Sequence, residues 1–105
     1  MKKVILLCSF GMSTSLLVTK MRKVAEEHKL PVQIDAFSYS EADKIVENNR
    51  PDCILLGPQI KYMFEEIKGK YEPLGIPVDI IDTVDYGSMN GEKVLKQVVR
   101  LIKGR

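Results

Sequence analysis

The chain has 105 residues, 45% of them hydrophobic and 29% charged, with a formal net charge of +2. That length supports one domain, residues 1–105, with a single core, and the composition is that of an ordinary globular protein. Its charge is too small to argue for nucleic acid, and its few aromatic residues are not interleaved with basic ones. No apolar run approaches the roughly 20 residues of a membrane helix, and Val4–Cys8 is too short for a signal-peptide core. Cys8 and Cys53 lie 45 positions apart, which fits neither a metal site nor a redox pair. The expectation is a reduced, cytoplasmic protein that neither spans a membrane nor holds a metal or cofactor.

In chain order, Val4 to Leu7 are four consecutive apolar residues, the pattern of a strand buried on both faces, and Cys8 falls at its end. A short stretch with hydroxyls at Ser9, Ser13 and Thr14 follows. A first helix is expected from about Ser13 to His28, with Leu17, Met21, Val24 and Ala25 on one stripe; it stops before Leu30-Pro31 because a residue preceding proline is driven out of helical geometry. Val32, Ile34 and Ala36 alternate with Gln33 and Asp35, which suits a half-exposed edge strand. Ser40-Glu41-Ala42 opens a shorter helix with Ala42, Ile45 and Val46 facing in, ending near Asn49. Cys53 to Leu56 is a second continuous apolar run, hence a second central strand. Pro58 starts a third helix that carries Ile60, Met63, Phe64 and Ile67 inward and ends near Gly69. A fourth strand covers Val78 to Ile81, Asp82 to Gly91 is a long connection, and a last helix runs from Gly91 to about Lys103 with Val94, Leu95, Val98, Leu101 and Ile102 buried.

Four strand-helix units of this size imply an α/β fold, a doubly wound parallel sheet of four strands with helices on both faces. The two continuous apolar strands belong in the centre, giving the order 2-1-3-4. In such a sheet, ligands bind outside the carboxyl ends of the strands where successive helices go to opposite faces, here between strands one and three. Cys8 ends the first of these strands, and Gly57-Pro58-Gln59 follows the other.

A thiol at a strand's carboxyl end, followed by a polar loop and a helix amino terminus, can hold an anion on sulfur: loop N–H groups point inward, and the helix dipole adds positive charge. The same field favours thiolate over thiol. The competing reading, a small buried hydrophobe, is the commonest fate of a free cysteine, and the residues alone leave both open. If the loop does bind phosphate, phosphoryl transfer through a phosphocysteine follows. Small cysteine phosphatases place an arginine six positions after the nucleophile; here that position is Thr14, and no Lys or Arg occurs before Lys20. Without a guanidinium on the equatorial oxygens, the loop suits a phosphate carrier better than a phosphatase, which remains the alternative.

Cys8-Ser9-Phe10-Gly11-Met12-Ser13-Thr14-Ser15-Leu16-Leu17-Val18 with Lys20-Met21 resembles the phosphorylation loop of the enzyme IIB component of the bacterial sugar phosphotransferase system, in its lactose, cellobiose and chitobiose family. Leu55-Leu56-Gly57-Pro58-Gln59-Ile60 with Tyr62-Met63 is similar to that family's second signature, and the likeness extends over essentially the whole chain. The resemblance implies the sheet order 2-1-3-4 and a phosphocysteine at Cys8 cradled by Ser9, Phe10, Gly11, Met12, Ser13, Thr14 and Ser15. It implies a pocket bordered by Gly57, Pro58 and Gln59, a phosphohistidine donor on the IIA component, and a disaccharide acceptor of the cellobiose, lactose or chitobiose type in the membrane IIC component. Phe10 departs from the smaller residue expected there and is read as a partner contact.

Other candidates receive blander roles. His28 sits near a helix carboxyl end, far from Cys8, as a solvated capping cation, and Cys53 at the start of a central strand is packing. Asp82 borders the pocket after strand four; with no loop arginine, a structural or partner-facing role is preferred to an acid like a phosphatase's. Lys93, Lys96, Arg100 and Lys103 form a solvated face. Phe10, Met12 and the Gly57-Pro58-Gln59 turn are expected to give a shallow apolar apron for transient partners, and the chain is expected to be monomeric.

Overall fold

A computed structural model describes residues 2–9 and 12–104. Among them, β1 (Lys2–Cys8), β2 (Val32–Ser38), β3 (Cys53–Leu56) and β4 (Val78–Ile80) pair in parallel in the order 2-1-3-4. Val4 lies opposite Ile34 and Cys53, and Cys8 opposite Ser38. The helices are α1 (Met12–Glu27), α2 (Ala42–Asn48), α3 (Phe64–Tyr71), α4 (Thr83–Gly87) and α5 (Gly91–Lys103).

Because strand side chains alternate between faces, β1 divides its apolar run between two cores. Val4 and Leu6 pack with Leu17, Met21 and Ala25 of α1 and Val94, Leu95 and Val98 of α5. Ile5 and Leu7 pack with Ala42 of α2, Ile60, and Ile67 and Tyr71 of α3. Each fully buried Leu or Ile contributes about 1.5–3 kcal/mol, so the unbroken run fixes β1 at the centre. The helices following β1 and β3 lie on opposite faces, which puts the switch point where the strand pattern predicted it.

Several boundaries differ from the sequence expectation. Helix α1 begins at Met12, one residue before the expected start, so Ser13, Thr14 and Ser15 of the implied cradle lie in its first turn. The second helical segment is capped by Ser38, not Ser40: the Ser38 side chain accepts from the Ser40 N–H, and Glu41 reaches back to the Ser38 N–H in a capping box. A 3₁₀ turn, Pro58–Met63, precedes α3 and leaves helical geometry at Ile60, whose side chain is fully buried. Strand β4 stops at Ile80, and Asp82–Gly91, expected as a plain connection, contains α4. That short helix forms because Asp82 accepts from the Val84 and Asp85 N–H groups, while Tyr86 is buried in the core that α1 and α5 share.

Candidate active site around Cys8

Strand β1 delivers Cys8 to the carboxyl edge of the sheet, between β2 and β3. Ser38 of β2 stands beside it in register, and its hydroxyl donates to the Ser9 carbonyl at 3.4 Å, holding the start of the loop. On the other side the Gly57 N–H donates to the Leu7 carbonyl at 2.8 Å, extending the ladder one step beyond β3. Gly57 is a close-approach position: a Cβ placed there would stand 3.7 Å from the Cys8 Cβ and 2.8 Å from Oε1 of Gln59, whose side chain folds back over the glycine.

Cys8 is only 3% exposed yet belongs to neither core cluster. Its sulfur lies 3.0 Å from Oγ1 of Thr14 in the first turn of α1. Thr14 is the only non-aromatic polar residue buried among the described residues. It gets there by periodicity, since positions 14, 17, 18, 21 and 25 form one inward stripe of α1. No acidic residue occupies that first turn, so the positive end of a helix of 16 residues is not neutralised by its own side chains. Sulfur, hydroxyl and helix terminus thus meet at one point on the carboxyl edge of the sheet.

The remaining expected residues distribute as follows. Ser9 is half-buried at the loop start, and Ser15 is exposed. Phe10 and Gly11, and the side chains of Met12 and Ser13, lie outside the described residues. Gly57 is buried, Pro58 half-buried and Gln59 exposed. Asp82 has its carboxylate engaged in capping α4 and lines a cleft along the outer side of β4 with Asp85, Lys93 and Arg100. His28 is exposed just beyond the carboxyl end of α1. Cys53 is fully buried at the opposite end of the sheet; burial, and then the charges of Asp52 and Asp79, push its thiol up to about 12.

Sequence reasoning missed Ser38, although Ser38-Tyr39-Ser40-Glu41 carries the S-x-x-E cap signature. It also missed an apolar rim. Leu16, Tyr39, Tyr62 and Val84 are large exposed apolar residues, each in the segment following a different strand, on the end of the sheet that bears Cys8. Tyr62 and Val84 are 77% and 75% exposed.

The fold is a parallel doubly wound sheet with a cysteine at the carboxyl end of a central strand, 3.0 Å from a buried threonine hydroxyl, and no arginine or lysine occurs from Cys8 to Thr19. Residues 3–97 match the family described as the lactose/cellobiose-specific IIB subunit of the PTS system. The chain belongs to that family and is thus a phosphotransferase component with a role in sugar phosphotransfer. It is 42% identical over 104 residues to the galactose-specific EIIB component of Lactococcus lactis subsp. cremoris, with 96% of each chain covered. It superposes with a TM-score of 0.80 on the cellobiose-specific phosphotransferase IIB component protein of Borrelia burgdorferi, at 36% identity, covering 98% of this chain and 93% of that one. It is also 32% identical over 97 residues to the lactose-specific EIICB component of Staphylococcus epidermidis, covering 90% of this chain but 16% of that longer protein. No helix among the described residues is long and apolar enough to cross a membrane.

Proposed function

We propose that residues 1–105 act as one cytoplasmic IIB unit in which Cys8 receives a phosphoryl group from a phosphohistidine of the IIA component. It then hands the group to a β-linked disaccharide held by the membrane IIC component. The observation that carries this reading is the Cys8 sulfur at the switch point, 3.0 Å from the buried Thr14 hydroxyl at the amino terminus of α1. In the first step the sulfur lone pair attacks phosphorus, the S–P bond forms and the N–P bond breaks, its electrons returning to the imidazole. In the second, the sugar hydroxyl attacks, the S–P bond breaks and its electrons return to sulfur as thiolate. The hydroxyl proton leaves to a base on the acceptor side. Ser9 to Ser15 cradle the group, with Gly57, Pro58 and Gln59 along the border. Asp82, engaged as a helix cap, keeps a structural or partner-facing role.

Both partners must reach the same sulfur, and the apolar rim of Leu16, Tyr39, Tyr62 and Val84 supplies area for brief docking without strong charge. The relative whose name joins EIIC and EIIB supports the membrane partner, and similar chains named for galactose and for cellobiose support a sugar acceptor without fixing which sugar it is. Incubation with phosphorylated IIA places one phosphate on Cys8. Cys8→Ser abolishes that label and Cys53→Ser retains it, read by peptide mass mapping; a label on His28 rejects the assignment. An aryl phosphate separates this reading from a small cysteine phosphatase, which would turn it over where the carrier does not.

A further inference from the structure

We propose that Thr14 is the residue that stabilises the leaving thiolate: its hydroxyl donates to the Cys8 sulfur, and this contact lets the phosphoryl group depart. The inference rests on the phosphocysteine reading above and extends it to the group that governs the second transfer.

The Sγ–Oγ1 separation is 3.0 Å and Thr14 is fully buried, so water does not compete for the contact. Either atom could donate while Cys8 is a thiol, but a thiolate carries no hydrogen, so in the ionised state the hydroxyl must donate. The neighbouring Ser15 is exposed, whereas Thr14 is aimed at the strand end by the same stripe that buries Leu17 and Met21. Arginine, which neutralises the transferring group in small phosphatases, is replaced here by a neutral donor that acts on sulfur instead.

The chemistry follows from which state the bond favours. A hydrogen bond to an ionised acceptor is stronger than one to a neutral atom, and sulfur is anionic only when no phosphoryl group is attached. The contact therefore stabilises the dephosphorylated enzyme relative to phosphocysteine, raising the tendency of the S–P bond to give up its phosphoryl group. When the sugar oxygen forms the new O–P bond, the S–P electron pair returns to a sulfur already facing the hydroxyl.

Thr14→Val keeps the shape and removes the donor; Thr14→Ser keeps the donor. With phosphorylated IIA, Thr14→Val is expected to shift the equilibrium about tenfold toward phosphocysteine and to slow onward transfer to sugar by a similar factor. Thr14→Ser stays close to wild type in both. A purely structural role would not give more phosphoprotein together with slower discharge. On phosphate-free protein at neutral pH, iodoacetamide alkylates Cys8 of Thr14→Val about threefold more slowly than wild type, because the lost donor lowers the thiolate fraction while the remaining thiolate becomes more nucleophilic, and Thr14→Ser restores the rate. Equal alkylation in Thr14→Val and wild type, or a Thr14→Ser variant as impaired as Thr14→Val, overturns the assignment. Should wild type fail to take phosphate, the carrier reading falls, and the alkylation comparison still decides the role of Thr14.

Discussion

Cys8 closes β1 at one end of the sheet and Cys53 opens the neighbouring β3 at the other. One sulfur faces a hydroxyl and a helix amino terminus; the other faces packed side chains, with Asp52 and Asp79 close enough to oppose its ionisation. Cys53 therefore has a consequence for stability. Its ordinary value of 9.0 is pushed up to about 12 by burial, and Tyr71 is likewise pushed up, by burial and by the bond its hydroxyl donates to Asp43. Above pH 9 the unfolded chain releases protons that the folded chain retains, so stability falls with rising pH. The contribution is complete below pH 9 and is lost on the way to about 12. Urea midpoints are expected to be level up to pH 9 and then to decline, at roughly 1 kcal/mol per pH unit for Cys53. Cys53→Ala should flatten part of that slope; an unchanged alkaline limb would show that the thiol is not the group responsible. Single residues also set the legibility of the site. Cys8 was visible from its strand-end position, but Thr14 as the sulfur's partner required carrying the helical stripe of Leu17 and Met21 back one turn.

Among the elements, α1 and α5 share one face and meet through a glycine. A Cβ at Gly91 would lie 2.9 Å from the Lys20 carbonyl carbon and the Met21 nitrogen, both rigid helix backbone. Gly91→Ala must push the start of α5 away from α1, and a loss of about 1–3 kcal/mol is expected from urea denaturation. A stability equal to wild type would mean that the helices can separate without cost. The two edge strands are also dressed. On β4, the Val78 N–H donates to Glu72, the Ile80 N–H to Asp79, and the Ile80 carbonyl accepts from Gln97. On β2, Arg22 donates to the Ile34 carbonyl at 2.8 Å and pairs with Asp35. These outward backbone groups, which could otherwise recruit another strand, are thus occupied by side chains. Periodicity found all the long elements, whose apolar stripes are strong; it missed α4, where five residues offer no repeat and the cap at Asp82 and the burial of Tyr86 decide the outcome.

At the scale of the molecule, Tyr62 and Val84 contribute little to the fold, because their side chains are largely in water. Tyr62→Ala and Val84→Ala should leave the urea midpoint within experimental error while raising the IIA concentration needed for half-maximal phosphorylation about fivefold each, as expected for exposed apolar anchors of a small interface. The limiting rate at saturating IIA should stay near wild type, since neither residue is part of the Cys8 loop. Unchanged donor dependence in both variants would place the docking face elsewhere.

By itself, the sequence determined the topology and the position of the Cys8 sulfur. Two unbroken apolar runs can be satisfied only at the centre of a covered parallel sheet, and the strand order that follows puts Cys8 at the switch point. Only the tertiary structure decided what surrounds that sulfur. The Ser38 bond to the Ser9 carbonyl and the close approach of Gly57 to Cys8 join residues from separate strand-helix units. No local pattern encodes such meetings, because register and helix placement, set by packing on both faces of the sheet, fix which side chains come together.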